Sequence, residues 1–344
     1  MEILELLKKI TPEIIEIIEK RYLILRAISY NQPIGRRALS GELGFKERTI
    51  RDEVSILKNQ GLLNIDLMGM YITDDGKKIL ENLHSIYGNL KGIPKLEERL
   101  QEILGIKKMI IVPGNSTENS MVLKDMGKIT SRVLKNIIQP KDIIGITGGS
   151  TMAVVAEEIT PDNKSRDIMV IPARGGLGRE VETQSNSIAA KLGQQLGGSY
   201  RLLYVPDGLE EKALELMLKN EEIRESMEMI NNMNTLVFGI GRADTMAKRR
   251  NLSEERIEEL INKGAVAEAL GHYFDIKGNE IWEFKTIGLS LEKFKSLNNV
   301  IGVAGGEEKA ESIISVSTLN SNMTLITDES AAEKILEIVN EATK

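Results

Sequence analysis

The sequence predicts two folded domains, an N-terminal winged helix-turn-helix and a larger α/β domain on a doubly wound, mostly parallel sheet. Three observations carry this. The chain's 344 residues exceed what one ordinary hydrophobic core sustains. Residues 34–54 have the spacing of helix, glycine turn, helix. From about residue 105 onward, short Ile/Val-rich runs alternate with amphipathic helical stretches, the pattern of a parallel sheet covered on both faces.

Composition narrows the function classes. With 41% hydrophobic and 28% charged residues, both domains should fold. No apolar run reaches the ~18 residues that a membrane span needs. Acids at Glu2, Glu5 and Glu13 do not fit a signal peptide's basic start. The chain has no cysteine, which excludes disulfides and thiolate chemistry and fits a reducing cytoplasm. Only two histidines occur, His84 and His272, so neither a His-rich metal site nor a metal or organic cofactor is expected. The net charge is −6, yet residues 21–60 hold eight Lys/Arg and four Asp/Glu. A basic module on an acidic body directs attention to DNA contacts in that segment.

The first domain is expected over residues 1–90. Ile3, Leu4, Leu7 and Ile10 recur at helical spacing, and a second apolar series runs from Ile14 to Ile28; both suit core or subunit contact. Next, a short helix turns Leu39 and Leu43 inward and Gly44 supplies a tight turn. A longer helix then buries Ile50, Val54 and Leu57. Lys46, Arg48, Thr49 and Arg51 fall at the start or on the outer face of this helix, where a recognition helix meets base edges or backbone. Arg36 and Arg37 are the expected phosphate contacts. Residues 62–65 and 70–73, around a turn at Met68 and Gly69, read as a wing. A helix over 75–90 carries His84 as a half-exposed residue. Gly92 and Pro94 then mark the boundary.

The second domain is expected over residues 91–344. Strands are expected at 109–112, 143–147, 168–172, 202–205, 236–240, 300–304 and 324–327, with helices such as 151–158, 184–196 and 331–339. Ligands in such sheets bind at the carboxyl ends of the strands, and four of those ends carry glycine-rich, polar text. Gly148-Gly149-Ser150-Thr151 opens a helix, where backbone amides and two hydroxyls suit an anion. It is neither a Walker loop nor a dinucleotide fingerprint. Ala173-Arg174-Gly175-Gly176-Leu177-Gly178 sets an arginine in a glycine turn, which suits bidentate phosphate binding. Gly239-Ile240-Gly241-Arg242-Ala243-Asp244 is followed by Lys248-Arg249-Arg250, and Gly305-Gly306 by Lys309 in a helical first turn. Several cationic turns on one edge point to an anionic ligand, and Glu268 is a candidate acceptor for its hydroxyls. His272 and Trp282, the latter on a strand-like run at 281–284, read as packing residues.

The segments Thr147-Gly148-Gly149-Ser150-Thr151, Pro172-Ala173-Arg174-Gly175-Gly176, Ala247-Lys248-Arg249-Arg250-Asn251 and Val303-Ala304-Gly305-Gly306 resemble the SorC family of sugar-binding transcriptional regulators. Pro33-Ile34-Gly35-Arg36-Arg37 extends the likeness into the first domain. The resemblance implies a repressor of glycolytic genes that binds double-stranded operator DNA, is released by fructose 1,6-bisphosphate or a related phosphosugar, and works as a homo-oligomer, a dimer or tetramer. It implies ligand contacts at Ser150, Thr151, Arg174, Gln184, Arg249 or Arg250, Glu268 and Lys309. It also implies an effector fold similar to sugar-phosphate isomerases and amino-sugar phosphate deaminases, which supplies an enzyme as the rival reading, with Asp244 the available base. The Gly-His pair of those deaminases is missing at Gly241-Arg242, and the helix-turn-helix favours a sensor with no catalytic residue. A third reading, an α/β domain that only oligomerises, leaves the convergent cationic turns unexplained.

Overall fold

The computed structural model describes residues 9–161, 165–177, 180–206, 208 and 211–342. The expected helix at Ile3, Leu4 and Leu7, and Gly178 of the arginine turn, lie outside them. The described chain divides into two compact units, residues 1–95 and 96–344, a few residues beyond the glycine and proline that signal the break in the sequence.

In the first unit, helix Pro12–Asn31 packs against helix Asp74–Leu90. Tyr22 stacks on Tyr87 with ring centroids 4.6 Å apart, and the Tyr22 hydroxyl lies 2.8 Å from His84 Nδ1. His84 is half-buried but therefore tied, not a loose surface residue. Helices Arg36–Leu43 and Glu47–Asn59 follow. Gly44 ends the first with φ 69°, a left-handed conformation that costs other residues a Cβ clash. Leu39, Ile50, Val54 and Leu57 are buried, while Leu43 is half-buried. Strands β1 (Leu63–Ile65) and β2 (Met70–Ile72) pair antiparallel. Ile34 adds a bridge to Met70, and Gln32 Oε1 accepts from the Ile72 amide at 3.0 Å. The unit is a winged helix.

The second unit is built on a seven-stranded sheet. Its strands are β3 (Lys108–Val112), β4 (Ile143–Ile146), β5 (Met169–Pro172), β6 (Ser199–Tyr200), β7 (Thr235–Gly239), β12 (Asn299–Val303) and β13 (Met323–Asp328). A second, antiparallel sheet contains β8 (Gly241–Arg242), β9 (Ala267–Ala269), β10 (His272–Phe274) and β11 (Glu280–Glu283). The large sheet has the order β3-β13-β12-β7-β4-β5-β6, and all its pairings are parallel. Helices Ser120–Ile137, Ser150–Glu158 and Ser185–Gln195 cover one face; Met126, Val155 and Leu192 pack there with Ile144, Val170 and Val237 of the sheet.

The strand expected at 202–205 is not formed. The sheet edge is the two-residue β6, three residues earlier. Beyond it the chain leaves the sheet, and the Leu203 amide bonds to the Asn186 side chain at 2.9 Å. The apolar run at 202–205 buries Leu203 and Val205; Val205 O accepts from the Gly176 amide at 2.9 Å beside an isolated bridge between Gly176 and Pro206, which is not a strand of the sheet.

The order of strands creates a switch point. After β4 the chain winds outward through β5 and β6, then returns to β7 on the other flank of β4 and winds the opposite way. Loops leaving β4 and β7 therefore diverge and open a crevice between them, the usual ligand position in open α/β sheets.

Candidate functional site

The crevice between β4 and β7 is a cleft lined by the loops that leave both strands, the position at which open α/β sheets hold small ligands. Its floor is pinned across the switch point: the Gly239 amide donates to Thr147 Oγ1 at 3.2 Å and the Thr147 amide to Val237 O at 3.2 Å. One wall is the amino end of helix Ser150–Glu158, where Gly149, Ser150 and Thr151 line the cleft. Ser150 is exposed, so its hydroxyl is free to meet a ligand beside the unsatisfied amides of the first turn.

The opposite wall carries the charges. Arg174 leaves the end of β5, and an isolated bridge to Gly288 fixes its backbone. Its guanidinium reaches Glu268 Oε1 at 3.2 Å, and Arg250 reaches the same oxygen at 2.8 Å. The Gly271 amide is a third donor to it, at 2.7 Å. Arg250 is shut away entirely: it also bonds the Tyr273 hydroxyl at 3.1 Å and lies over the rings of Tyr273 and Phe284. Desolvation opposes charge on Glu268, but the two guanidiniums outweigh it, and the carboxyl sits below the usual glutamate range. Arg249 lines the cleft and donates to Thr183 Oγ1 at 3.3 Å. Lys309, half-buried in the 3₁₀ turn Glu307–Lys309, closes the far side. Burial lowers its pKa; the carboxylates of Glu308 and Asp328 only partly offset this.

Gly149, Ser150, Thr151, Arg174, Gly175, Arg249, Arg250, Glu268 and Lys309, all singled out in the sequence, line this one cleft. Gly176 and Gln184 do not: the Gln184 amide donates to Leu177 O at 3.2 Å, so it braces the arginine turn from behind. Glu268 differs in detail from its expected part as a hydroxyl acceptor. It is a buried strand residue whose Oε1 already takes three donors, so it organises the two arginines. Sequence reasoning missed Thr147, Thr183, Ser185 and Leu270 of the lining. Thr147 sits inside a quoted motif and could have been found there. Thr183 ends the 3₁₀ turn Val181–Thr183 and Ser185 opens the helix Ser185–Gln195, a junction that carries no motif of its own.

Asp244 lies outside the lining. Arg242 holds it with two hydrogen bonds, 3.0 and 2.8 Å long. Desolvation works against its charge, but Arg242 and Thr245 prevail and keep it below the usual aspartate range.

In the first unit, Arg36, Arg37, Lys46, Arg48 and Arg51 are exposed and Thr49 is half-buried. Their ion pairs are long and solvated: Arg37 to Glu47 at 4.0 Å, Arg48 to Asp52 at 3.9 Å and Arg51 to Asp52 at 3.5 Å. Such pairs contribute roughly 0–1 kcal/mol, so little opposes exchanging them for phosphate. Among the described residues, no helix is long and apolar enough to cross a membrane.

Residues 89–337 match the family described as "Putative sugar-binding domain" and residues 17–87 that described as "CggR N-terminal DNA binding domain". The central glycolytic genes regulator of Bacillus subtilis is 38% identical over 335 residues, spanning 97% of this chain and 98% of its own. The protein of that name from Priestia megaterium is 38% identical over 339 residues, or 98% and 99%. A SorC family transcriptional regulator from Enterococcus faecalis superposes with TM-score 0.67 at 36% identity, covering 70% of this chain and 99% of that one. The full-length sorbitol operon regulator SorC from Klebsiella pneumoniae gives 0.66 at 21% identity, covering 94% and 98%, a likeness of fold alone.

Proposed function

Since the chain belongs to the SorC family of sugar-binding transcriptional regulators, we propose that it represses glycolytic genes and that a phosphorylated sugar, fructose 1,6-bisphosphate, modulates its hold on operator DNA. One observation carries the ligand half of this reading. Among the described residues, the cleft is lined by Arg174, Arg249 and Lys309, with the fully buried Arg250 behind them, against the single carboxylate of Glu268. Buried charge is costly unless paired, so an anionic ligand is the natural complement. The hydroxyls of Ser150, Thr151 and Thr183 and the amides of the helix start supply the directional bonds that hold a phosphate and sugar. Several cations around one cleft suit a ligand with two anionic groups. The names of the two 38%-identical relatives support glycolytic genes as the target.

The DNA half rests on the exposed cations of the helix-turn-helix. Phosphate contacts by Arg36 and Arg37 would set register, and Lys46, Arg48, Thr49 and Arg51 would meet bases or backbone. The working form is a homo-oligomer, a dimer or tetramer, in the cytoplasm where the DNA lies. Ile10, Ile14 and Ile17, 72%, 40% and 37% exposed at helical spacing, offer an apolar stripe for subunit contact. The enzyme reading is the weaker, because Asp244 is engaged by Arg242 away from the cleft.

The deciding experiment is a calorimetric titration of the full chain with fructose 1,6-bisphosphate and with unphosphorylated fructose, alongside a gel shift on duplex DNA. Saturable binding of the bisphosphate alone, with a change in DNA affinity, is the expected result. Indifference to every phosphosugar at millimolar concentration would refute the sensor reading.

A further inference from the structure

The hairpin behind the cleft carries a second group of polar side chains. β10 and β11 pair antiparallel, with His272 opposite Glu283 and Tyr273 opposite Trp282. One residue further the register slips: Phe274 faces Glu280, and Ile281 becomes the extra residue of a bulge. The slip has a chemical consequence. Side chains alternate along a strand, so Glu280 and Glu283, three positions apart, would point to opposite faces of a regular ladder. The bulge re-aims Glu280 and gathers His272, Glu280 and Glu283 on one face. Tyr273 and Trp282 take the other, where the Tyr273 hydroxyl meets Arg250.

We propose that His272, Glu280 and Glu283 bind a divalent transition-metal ion of the zinc class. One donor atom from each residue lies within 4.8 Å of the other two, and His272 Nδ1 stands 2.8 Å from Glu280 Oε1. Ligands about 2.1 Å from zinc stand roughly 3.4 Å apart in a tetrahedron, so a small rotation of the carboxylates closes the set around one ion. His272 is only 8% exposed and its ring lies 6.2 Å from that of Phe274, so packing orients the imidazole. Both glutamates are exposed and free to swing onto a metal. Among the described residues, neither pairs with a Lys or Arg. Two carboxylates on one face without a cation repel each other, and a dication relieves that repulsion. Donor type selects the class: imidazole suits zinc and its neighbours, whereas magnesium and calcium prefer oxygen alone. Three protein ligands leave a further position for water. The bound ion cross-links β10 to β11, in the segment from which Gly271 and Tyr273 reach Glu268 and Arg250.

The test uses the full chain without an affinity tag, stripped by a chelator and titrated with zinc in a calorimeter. One saturable equivalent per chain is expected, with a melting temperature that rises with zinc and falls back with EDTA. Glu280→Gln/Glu283→Gln should weaken zinc binding about a hundredfold or more, beyond the loss of an outer-shell partner. The replacements are isosteric and exposed, so folding should survive, and a melt in EDTA equal to wild type verifies it. Histidine-selective 15N spectra of the wild-type chain need no variant. Of the two histidines, His272 should shift on adding zinc, while His84, whose Nδ1 faces the Tyr22 hydroxyl in the other unit, should not. Magnesium at the same concentration should move neither. Absence of zinc binding, wild-type affinity in the folded double variant, or a His272 signal unmoved by saturating zinc each overturns the site. So does uptake of several equivalents that shifts both histidines alike, which is surface adsorption.

Discussion

Arg174 and Arg250 meet at one atom: Glu268 Oε1 accepts from both, at 3.2 and 2.8 Å. Arg250 is sealed in the core and Arg174 borders the cleft. The carboxylate therefore ties the guanidinium that borders the cleft to one that is fully buried.

Arg174→Ala should weaken phosphosugar binding about ten- to a hundredfold, since a charge-assisted hydrogen bond is worth roughly 1.5–3 kcal/mol. DNA affinity without sugar should stay near wild type, because the residue lies in the sugar-binding unit. A gel-shift series with rising fructose 1,6-bisphosphate reads both. Release of DNA at the wild-type sugar concentration would place the phosphate elsewhere.

Glu268→Gln should cost stability out of proportion to its size. Removing one partner of a buried ion pair typically costs about 3–5 kcal/mol, and here one carboxylate serves two guanidiniums. The folded-state pKa of Glu268 is depressed, so its stabilisation is present above the unfolded glutamate pKa and is lost as pH falls through the folded one. Thermal melts against pH should show wild type losing this increment on acidification and the variant lacking it throughout. A variant as stable as wild type at neutral pH contradicts the account.

Lys309 predicts a pH dependence of opposite sense. Burial lowers its pKa, so the ammonium loses its proton at a lower pH than an exposed lysine. Affinity for a phosphosugar should fall as pH rises through that lowered value, while Lys309→Arg keeps its charge and should bind with a flatter profile. For folding the sign reverses: the unfolded chain holds the proton longer, so this residue's cost to stability fades over the same rise. Calorimetry at stepped alkaline pH on both proteins tests it, and identical profiles would remove Lys309 from the site.

Arg37→Ala should reduce the salt dependence of DNA binding by about 0.9 in the log-log slope, the value of one neutralised phosphate. The Arg37 side chain is 95% exposed and its nearest carboxylate is 4.0 Å away, so folding should be unaffected. Fluorescence anisotropy between low and physiological salt measures the slope, and an unaltered slope would exclude Arg37 from the phosphate contacts.

Much of this was legible in the sequence because glycine and charge mark strand ends. The four glycine turns named the cleft walls, and the Ile/Val runs named all the central strands of the large sheet. Where the reading failed, the cause was contact between distant segments. The chain at 202–205 has a strand's alternation but finds Asn186, not a ladder. Gln184 lies outside the cleft lining, and its Nε2 donates to Leu177 O. Thr183 and Ser185 enter the lining only because the chain returns past Gly149, whose amide donates to Thr183 O at 2.9 Å. Nor does spacing foretell that residues 174, 250 and 268 share one oxygen atom.

The lone tryptophan has a use of its own. Trp282 packs 5.4 Å from Tyr273, the residue whose hydroxyl bonds Arg250, and the Arg256 guanidinium lies 5.4 Å from the indole ring. With one indole in 344 residues, all tryptophan emission from the chain comes from the layer directly behind the Arg250–Glu268 pair. The unlabelled protein thus contains its own optical probe of that layer, with no second indole to dilute the signal.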